Sequence, residues 1–150
     1  MEDRTDHPTS APGILLARGV CRALADLGFA PICEFVIARG LRVDVLALGP
    51  KGDVWIVECK SSLADFRSDR KWQNYLPWCD RFFWAVDADF PREVLPDGHG
   101  LILADRFGAE LLEMGEEARL APARRKAVTL SVARTGLRRL HHACDPGVRM

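Results

Sequence analysis

Three residues of the types that catalyse hydrolysis, Glu58, Lys60 and Asp44, stand in two neighbouring apolar segments of the chain. Residues two apart in a β-strand point to the same side, so Glu58 and Lys60 project together while Cys59 faces the opposite layer. In an antiparallel hairpin the end of one strand lies beside the start of its partner, which brings Asp44 alongside Glu58. The pattern predicts two carboxylates and an ammonium group at one edge of a sheet.

Two adjacent carboxylates repel each other unless a proton or a cation lies between them. Mg²⁺, or Mn²⁺ in its place, is held by one or two carboxylates together with water and substrate phosphate oxygens, and such a corner offers these ligands. We therefore predict a metal site made of Asp44, Glu58 and the backbone carbonyl of Cys59. A metal-bound water would attack a phosphodiester, and Lys60 would orient that water or stabilise the transition state. The alternative is an ordinary ion pair, of Glu58 with Lys60 or of Asp44 with Arg42.

The elements that must position these residues follow from hydrophobic periodicity and from turn residues. Apolar residues at three- and four-residue spacing predict a first helix that starts near Pro12 and stops at Gly28. A meander of three strands follows, with Gly49-Pro50-Lys51-Gly52 as a hairpin turn. The predicted strands are residues 31–38, 42–48, 53–59, 81–87 and 100–105, with a short partner at 109–113. Ser62 and Asp65 form a capping box for a second helix over residues 63–76, which Pro77 ends.

A last helix is predicted to begin at Pro122. Its apolar face is formed by Leu130, Ala133, Leu137 and Leu140, and another face carries Arg124, Ser131, Thr135, Arg138 and His142. The order of elements predicts an α/β fold with a mixed central sheet flanked by helices, including a basic C-terminal helix. We expect one domain over residues 13–142, with flexible tails at 1–12 and 143–150.

The composition excludes several classes of protein. The chain has 150 residues, of which 48% are hydrophobic and 28% charged, which is typical of one folded domain rather than a disordered chain. It contains neither an apolar run long enough to span a membrane nor a signal peptide, so we expect a cytoplasmic protein. Its five cysteines include no CxxC pair, which argues against a disulfide framework and against a zinc site.

The formal net charge of zero hides a strong segregation of charge. Residues 87–117 contain nine acids and two arginines, whereas residues 119–142 contain seven bases and no acid. A basic helix suits a phosphate backbone, so DNA is the expected partner and Arg124 and Arg138 are candidate contacts. The alternative is a solvated helix face that happens to be basic.

Asp44 followed by Glu58-Cys59-Lys60, in a helix–strand–strand–strand–helix–strand order, resembles the PD-(D/E)XK superfamily of restriction-endonuclease-like nucleases. Within it, the chain is similar to the MmcB family of bacterial DNA-repair proteins from about residue 14 to residue 140. The segments that carry this similarity are residues 55–62, 65–66, 71–75, 79–86, 100–105 and 120–126.

The resemblance implies an α-β-β-β-α-β core, with Asp44 and Glu58 as metal ligands and Lys60 as the catalytic lysine. Glu34 is the candidate for a third acid. Lys71 and Tyr75, four residues apart in the predicted second helix, are candidate phosphate-side contacts. The implied function is metal-dependent hydrolysis of DNA in repair. The alternatives are a non-catalytic DNA-binding or adaptor protein that keeps the nuclease fold, and a plain interaction domain.

Overall fold

Six strands form one mixed sheet whose order in space follows their order along the chain. The computed structural model describes residues 12–147. The helices are α1 (Pro12–Asp26), α2 (Leu63–Ser68) and α3 (Pro122–Cys144), with short 3₁₀ helices at Trp72–Trp78 and Arg92–Val94. The strands are β1 (Ala30–Ala38), β2 (Leu41–Leu48), β3 (Val54–Lys60), β4 (Arg81–Val86), β5 (Gly100–Ala104) and β6 (Ala109–Glu113). The predicted tail residues 1–11 and 148–150 lie outside the described part.

The sheet begins with an antiparallel meander of three strands, continues with two parallel strand pairs and ends with an antiparallel pair. β1, β2 and β3 pair antiparallel, β3–β4 and β4–β5 pair parallel, and β6 returns antiparallel to β5. The predicted α/β class, the mixed sheet and the three-strand meander are therefore confirmed. The turn between β2 and β3 closes through Gly52, whose φ of 91° lies in the left-handed region that glycine tolerates.

A hydrophobic core lies on each face of the sheet, in agreement with the predicted central sheet flanked by helices. Every residue of β3 is buried. On one face α1 packs Val20 and Leu24 against the sheet. On the other face the 3₁₀ helix and α3 pack Tyr75, Val128 and Val132 against it. Glu58 and Lys60 thus lie on a strand that both cores hold in place.

The prediction of one second helix over residues 63–76 is wrong, because that helix ends at Ser68. The Ser62 cap forms as expected, since its hydroxyl oxygen accepts a hydrogen bond from the Asp65 amide at 3.1 Å. Asp69 then takes an extended conformation, and its carboxylate accepts hydrogen bonds from the amides of Lys71 and Trp72 at 2.8 and 3.1 Å. A side chain that captures backbone donors in this way replaces helical bonds with a turn.

The last helix does not pack through the apolar face that the sequence indicates. Val128 and Val132 are its buried residues, whereas the residues of that apolar face are exposed to solvent: Leu130, Ala133, Leu137 and Leu140. Two arginines on the same helix face as these valines hold α3 in this orientation. Arg125 forms a bidentate ion pair with Asp80 at 2.7 Å, and Arg139 donates to backbone carbonyls of β1. Hydrophobic periodicity missed this face because arginines occupy both of its ends.

None of the helices within residues 12–147 has the length and apolar character needed to cross a membrane.

Candidate functional site

The backbone pairing of β2 with β3 ends before Asp44 and Glu58, and beyond that point the carboxylates of these two residues connect the strands. The register runs from Leu48 opposite Val54 to Val45 opposite Val57. Beyond that point the Asp44 amide donates to Glu58 Oε1 at 3.1 Å, and the Cys59 amide donates to Asp44 Oδ2 at 2.8 Å. Each strand thus binds the acid of the other, which fixes the two side chains next to each other.

This carboxylate pair lies in a poorly solvated environment. Glu58 is 4% exposed, and Asp44 is partly buried. Burial, together with the charge of Asp44, raises the pKa of Glu58 to about 9. Burial also raises the pKa of Asp44, although the hydrogen bond from the Cys59 amide opposes this. Two adjacent carboxylates with raised pKa values need a shared proton or a cation between them.

Lys60 is buried two residues further along β3, with Asp69 as its partner. Lys60 Nζ lies 2.7 Å from Asp69 Oδ2, and both side chains are less than 10% exposed. Burial lowers the pKa of Lys60, but the hydrogen bond and the charge of Asp69 outweigh that effect and raise it. The lysine is therefore held as a cation beside the carboxylate pair.

The three residues open onto one cavity of about 720 Å³ between α1 and the first three strands. Glu34 also lines this cavity and has a φ of 48°, a left-handed conformation that is uncommon outside glycine. The guanidinium of Arg139 donates to the backbone carbonyls of Cys33 and Glu34. The end of α3 thereby supports the strained residue at the mouth of the cavity.

The donor set fits a hard divalent cation that keeps water among its ligands. Within residues 12–147 no group of three or more His, Cys, Asp or Glu side chains is arranged to hold a metal ion. Asp44 and Glu58 supply two carboxylates, and the carbonyl of Cys59 is on the same strand as Glu58. Mg²⁺ is usually held by one or two carboxylates plus water and substrate phosphate, so these residues match its needs, whereas a structural zinc site would need more ligands.

Comparison with known proteins identifies the family. Residues 2–147 match the model of the family described as DNA repair protein MmcB-like. The chain belongs to this MmcB-like family. A solved structure of a protein of unknown function from Silicibacter pomeroyi is 55% identical, with a TM-score of 0.90 over 93% of this chain and 96% of that one. No curated protein matches the sequence.

Lys71 and Tyr75 of this MmcB-like protein lie together and are not part of the lining of the carboxylate cavity. Both line a smaller hollow beside β1 and β2. Lys71 Nζ donates to the Gly40 carbonyl at 3.3 Å, and the buried Tyr75 donates through its hydroxyl to the Arg42 carbonyl at 3.0 Å. Their role as phosphate contacts stays a prediction, and Tyr75 has a structural role in joining the 3₁₀ helix to β2.

The basic residues of α3 are presented at the surface of the MmcB-like fold. Arg124 and Arg138 are exposed. The Arg124 guanidinium lies 3.9 Å from the centre of the Trp78 ring and donates to the Pro77 carbonyl at 3.3 Å. The exposed Arg124 and the half-buried Trp78 therefore form a cation–π pair, which combines a positive charge with an aromatic ring.

Sequence reasoning missed two residues that organise the site and its support. Asp69 is the counter-ion of Lys60, a role that a continuous second helix would not have allowed it. Asp80 is 3% exposed and accepts from the amides of Val54 and Leu120 as well as from Arg125. An acid directly before the buried strand β4 was the available signal for Asp80. At Asp69 the signal was the aspartate itself, whose side chain tends to bind nearby backbone amides and to favour a turn.

Proposed function

We propose that this MmcB-like protein is a metal-dependent nuclease that hydrolyses DNA phosphodiester bonds during repair. The proposal rests on the hydrogen bonds by which the Asp44 carboxylate binds the backbone of β3 and the Glu58 carboxylate binds the backbone of β2. Lys60 is held as a cation beside them. Two acids kept together at an energetic cost suit a site built for a cation, because a cation removes their repulsion. Membership in a DNA-repair family supports DNA as the substrate.

The chain's own residues have distinct tasks in this proposal. Asp44 and Glu58 would hold Mg²⁺ or Mn²⁺, which supplies an activated water and neutralises charge on the phosphate. Lys60 would donate hydrogen bonds to the attacking water or to a phosphate oxygen and would stabilise the negative charge of the transition state. Asp69 fixes the position of the Lys60 ammonium, and the cavity in front of these groups has room for a nucleotide-sized ligand.

The test is cleavage of single-stranded, double-stranded and branched DNA by the purified protein with Mg²⁺ or Mn²⁺. We expect metal-dependent cleavage of at least one form, which Glu58→Gln and Lys60→Met each reduce to background. Glu110→Gln is the matched control, since Glu110 is an exposed acid on β6. Folding of each variant is checked by thermal unfolding. Cleavage that persists in Glu58→Gln would contradict the assigned site.

A second function, DNA binding without cleavage, is favoured by a different observation. Lys60 already has a counter-ion in Asp69, and α3 presents exposed arginines on the opposite layer from α1. A protein that retains the fold for binding alone would bind DNA in a salt-sensitive manner and would cleave no DNA form with either metal. The same cleavage panel, run beside a binding titration, separates the two functions.

A further inference from the structure

Cys21 and Cys33 are in contact although they belong to different elements. Cys21 lies on α1 and Cys33 on β1, and their Sγ atoms are 3.4 Å apart. Both side chains are half-buried, and both line the cavity onto which Asp44 and Glu58 open. Two thiols thus meet at the wall of a solvent-connected cavity, where small oxidants can reach them.

We propose that Cys21 and Cys33 are a redox-modification site at which a hydroperoxide produces an intramolecular disulfide. A disulfide requires the sulfur atoms to be about 2.05 Å apart, so the two thiols must approach by about 1.4 Å. Side-chain rotation of two half-buried residues supplies a movement of that size without a change in the order of the strands. The proposal concerns this thiol pair alone and does not depend on nuclease activity.

None of the other described cysteines is in contact with another thiol, although Cys59 also lines the cavity. Cys59 and Cys79 are buried, and Cys79 Sγ contacts the backbone carbonyls of Tyr75 and Leu76 at 3.8 Å. Cys144 is exposed at the last residue of α3. Among the described cysteines, only Cys21 and Cys33 combine contact with another thiol and access to the cavity.

The reaction balances with a hydroperoxide as the oxidant. The thiolate of one cysteine attacks the O–O bond, so that an S–O bond forms and the departing oxygen leaves as water or an alcohol after it takes up a proton. The second thiol then attacks the sulfur of this sulfenic acid, which forms the S–S bond and releases water. Overall, two thiols lose two electrons and two protons, and one hydroperoxide is reduced.

The disulfide would join α1 covalently to β1 beside the carboxylates. Cys33 is opposite Val45 in the register, one residue from Asp44, and Glu34 follows it. On α1, Cys21 shares the cavity wall with Ala17. Oxidation therefore removes freedom of movement between the helix and the strand that form this wall.

The test uses full-length protein with Cys144→Ser, which leaves four cysteines and prevents crosslinking between molecules. The protein is treated with one equivalent of hydrogen peroxide, unfolded, alkylated and mapped by peptide mass spectrometry. We expect a linked peptide pair that contains Cys21 and Cys33, two alkylated thiols instead of four, and recovery of all four after dithiothreitol. Cys33→Ser with Cys144→Ser is the matched control, and it should keep its three thiols free of any internal disulfide.

Two results would overturn the proposal. One is alkylation of both Cys21 and Cys33 after the peroxide treatment, which would mean that their contact is only packing. The other is a disulfide that includes Cys59 or Cys79, which would mean that the observed contact does not govern the oxidation.

Discussion

Lys60 Nζ lies 2.7 Å from Asp69 Oδ2, and this ion pair joins the end of β3 to the turn that interrupts the helical segment after it. The same carboxylate accepts hydrogen bonds from the amides of Lys71 and Trp72. Asp69 thus has two functions, since it terminates α2 and provides the counter-ion of the candidate catalytic lysine. A continuous helix through this region would have left the buried ammonium without this partner.

Asp69→Asn is expected to destabilise the protein by about 1–3 kcal/mol, because it leaves the buried Lys60 ammonium without its counter-ion. The amide oxygen can still accept the backbone bonds of the turn, so the change isolates the charge. Urea unfolding measures the effect. In a double-mutant cycle with Lys60→Met, the two changes together should cost clearly less than their sum. Additive costs would show that Lys60 and Asp69 do not interact in solution.

Asp80 is expected to make the protein sensitive to acid. Burial alone would raise the pKa of Asp80. The hydrogen bonds from Arg125 and from the amides of Val54 and Leu120 outweigh this effect and lower the pKa from 3.8 to about 2. The folded state binds a proton at the Asp80 carboxylate more weakly than the unfolded chain does. The ionised carboxylate therefore stabilises the folded state fully above pH 3.8. This stabilisation is lost as the pH falls towards 2. We expect it to amount to about 1–2 kcal/mol, because the partly exposed Arg125 weakens the pair.

The measurement is the difference in free energy of unfolding between wild type and Asp80→Asn as a function of pH. The difference should be largest near neutral pH and should shrink below about pH 4. Glu117→Gln, which breaks the more exposed pair with Arg81, should change stability by less than about 1 kcal/mol. A difference between wild type and Asp80→Asn that is constant with pH would contradict the assigned role of this carboxylate.

Gly19 marks a close approach of α1 to the turn between β5 and β6. A Cβ atom at Gly19 would lie 1.7 Å from the Asp105 carbonyl oxygen and 2.5 Å from that of Gly108. Gly19→Ala should therefore destabilise the protein by at least about 1–3 kcal/mol through overpacking. Gly136→Ala is the opposite case, since Gly136 lies in α3 with open space around it, and it should stabilise by about 0.5–1 kcal/mol. Thermal unfolding of both variants tests the packing of α1.

Arg124 and Arg138 are expected to contribute to DNA affinity through charge rather than through sequence recognition. Replacing both by alanine should weaken binding to all sequences alike, and should reduce the slope of log affinity against log salt by about 0.9 for each phosphate that is no longer neutralised. Fluorescence anisotropy at several salt concentrations measures both. Arg106→Ala is the matched control, since Arg106 is exposed but lies in the acidic segment. An equal effect of Arg106→Ala would show that α3 is not the interface.

The sequence was sufficient for the elements whose patterns are local. Alternating or continuous apolar runs and the Gly49–Gly52 turn predicted the meander to within one or two residues, and hairpin geometry alone brought Asp44 to Glu58. The Ser62 cap was also predicted correctly. These features depend on neighbours a few residues apart, which the sequence displays directly.

The errors arose where a charged side chain outweighs hydrophobic periodicity. Asp69 captures two backbone amides and ends a helix that its apolar pattern would have continued. Arg125 and Arg139 turn α3 so that a stripe with two valines packs and the leucines face solvent. The orientation of α3 depends on partners distant in sequence, namely Asp80 and the carbonyls of β1, so no local pattern can reveal it. The turn at Asp69 is made with the nearby amides of Lys71 and Trp72, and there the prediction gave the apolar pattern more weight than a local polar signal.

The proposal that Asp44 and Glu58 form a divalent-metal site can be tested by calorimetric titration with Mn²⁺. We expect wild type and Glu110→Gln to bind one Mn²⁺ with the same affinity, whereas Asp44→Asn and Glu58→Gln should each bind at least about tenfold more weakly. Removal of one of only two carboxylates has this effect because the cation then loses half of its charged ligands. Absence of Mn²⁺ binding by the wild type, or equal binding by Glu58→Gln, would contradict the claim.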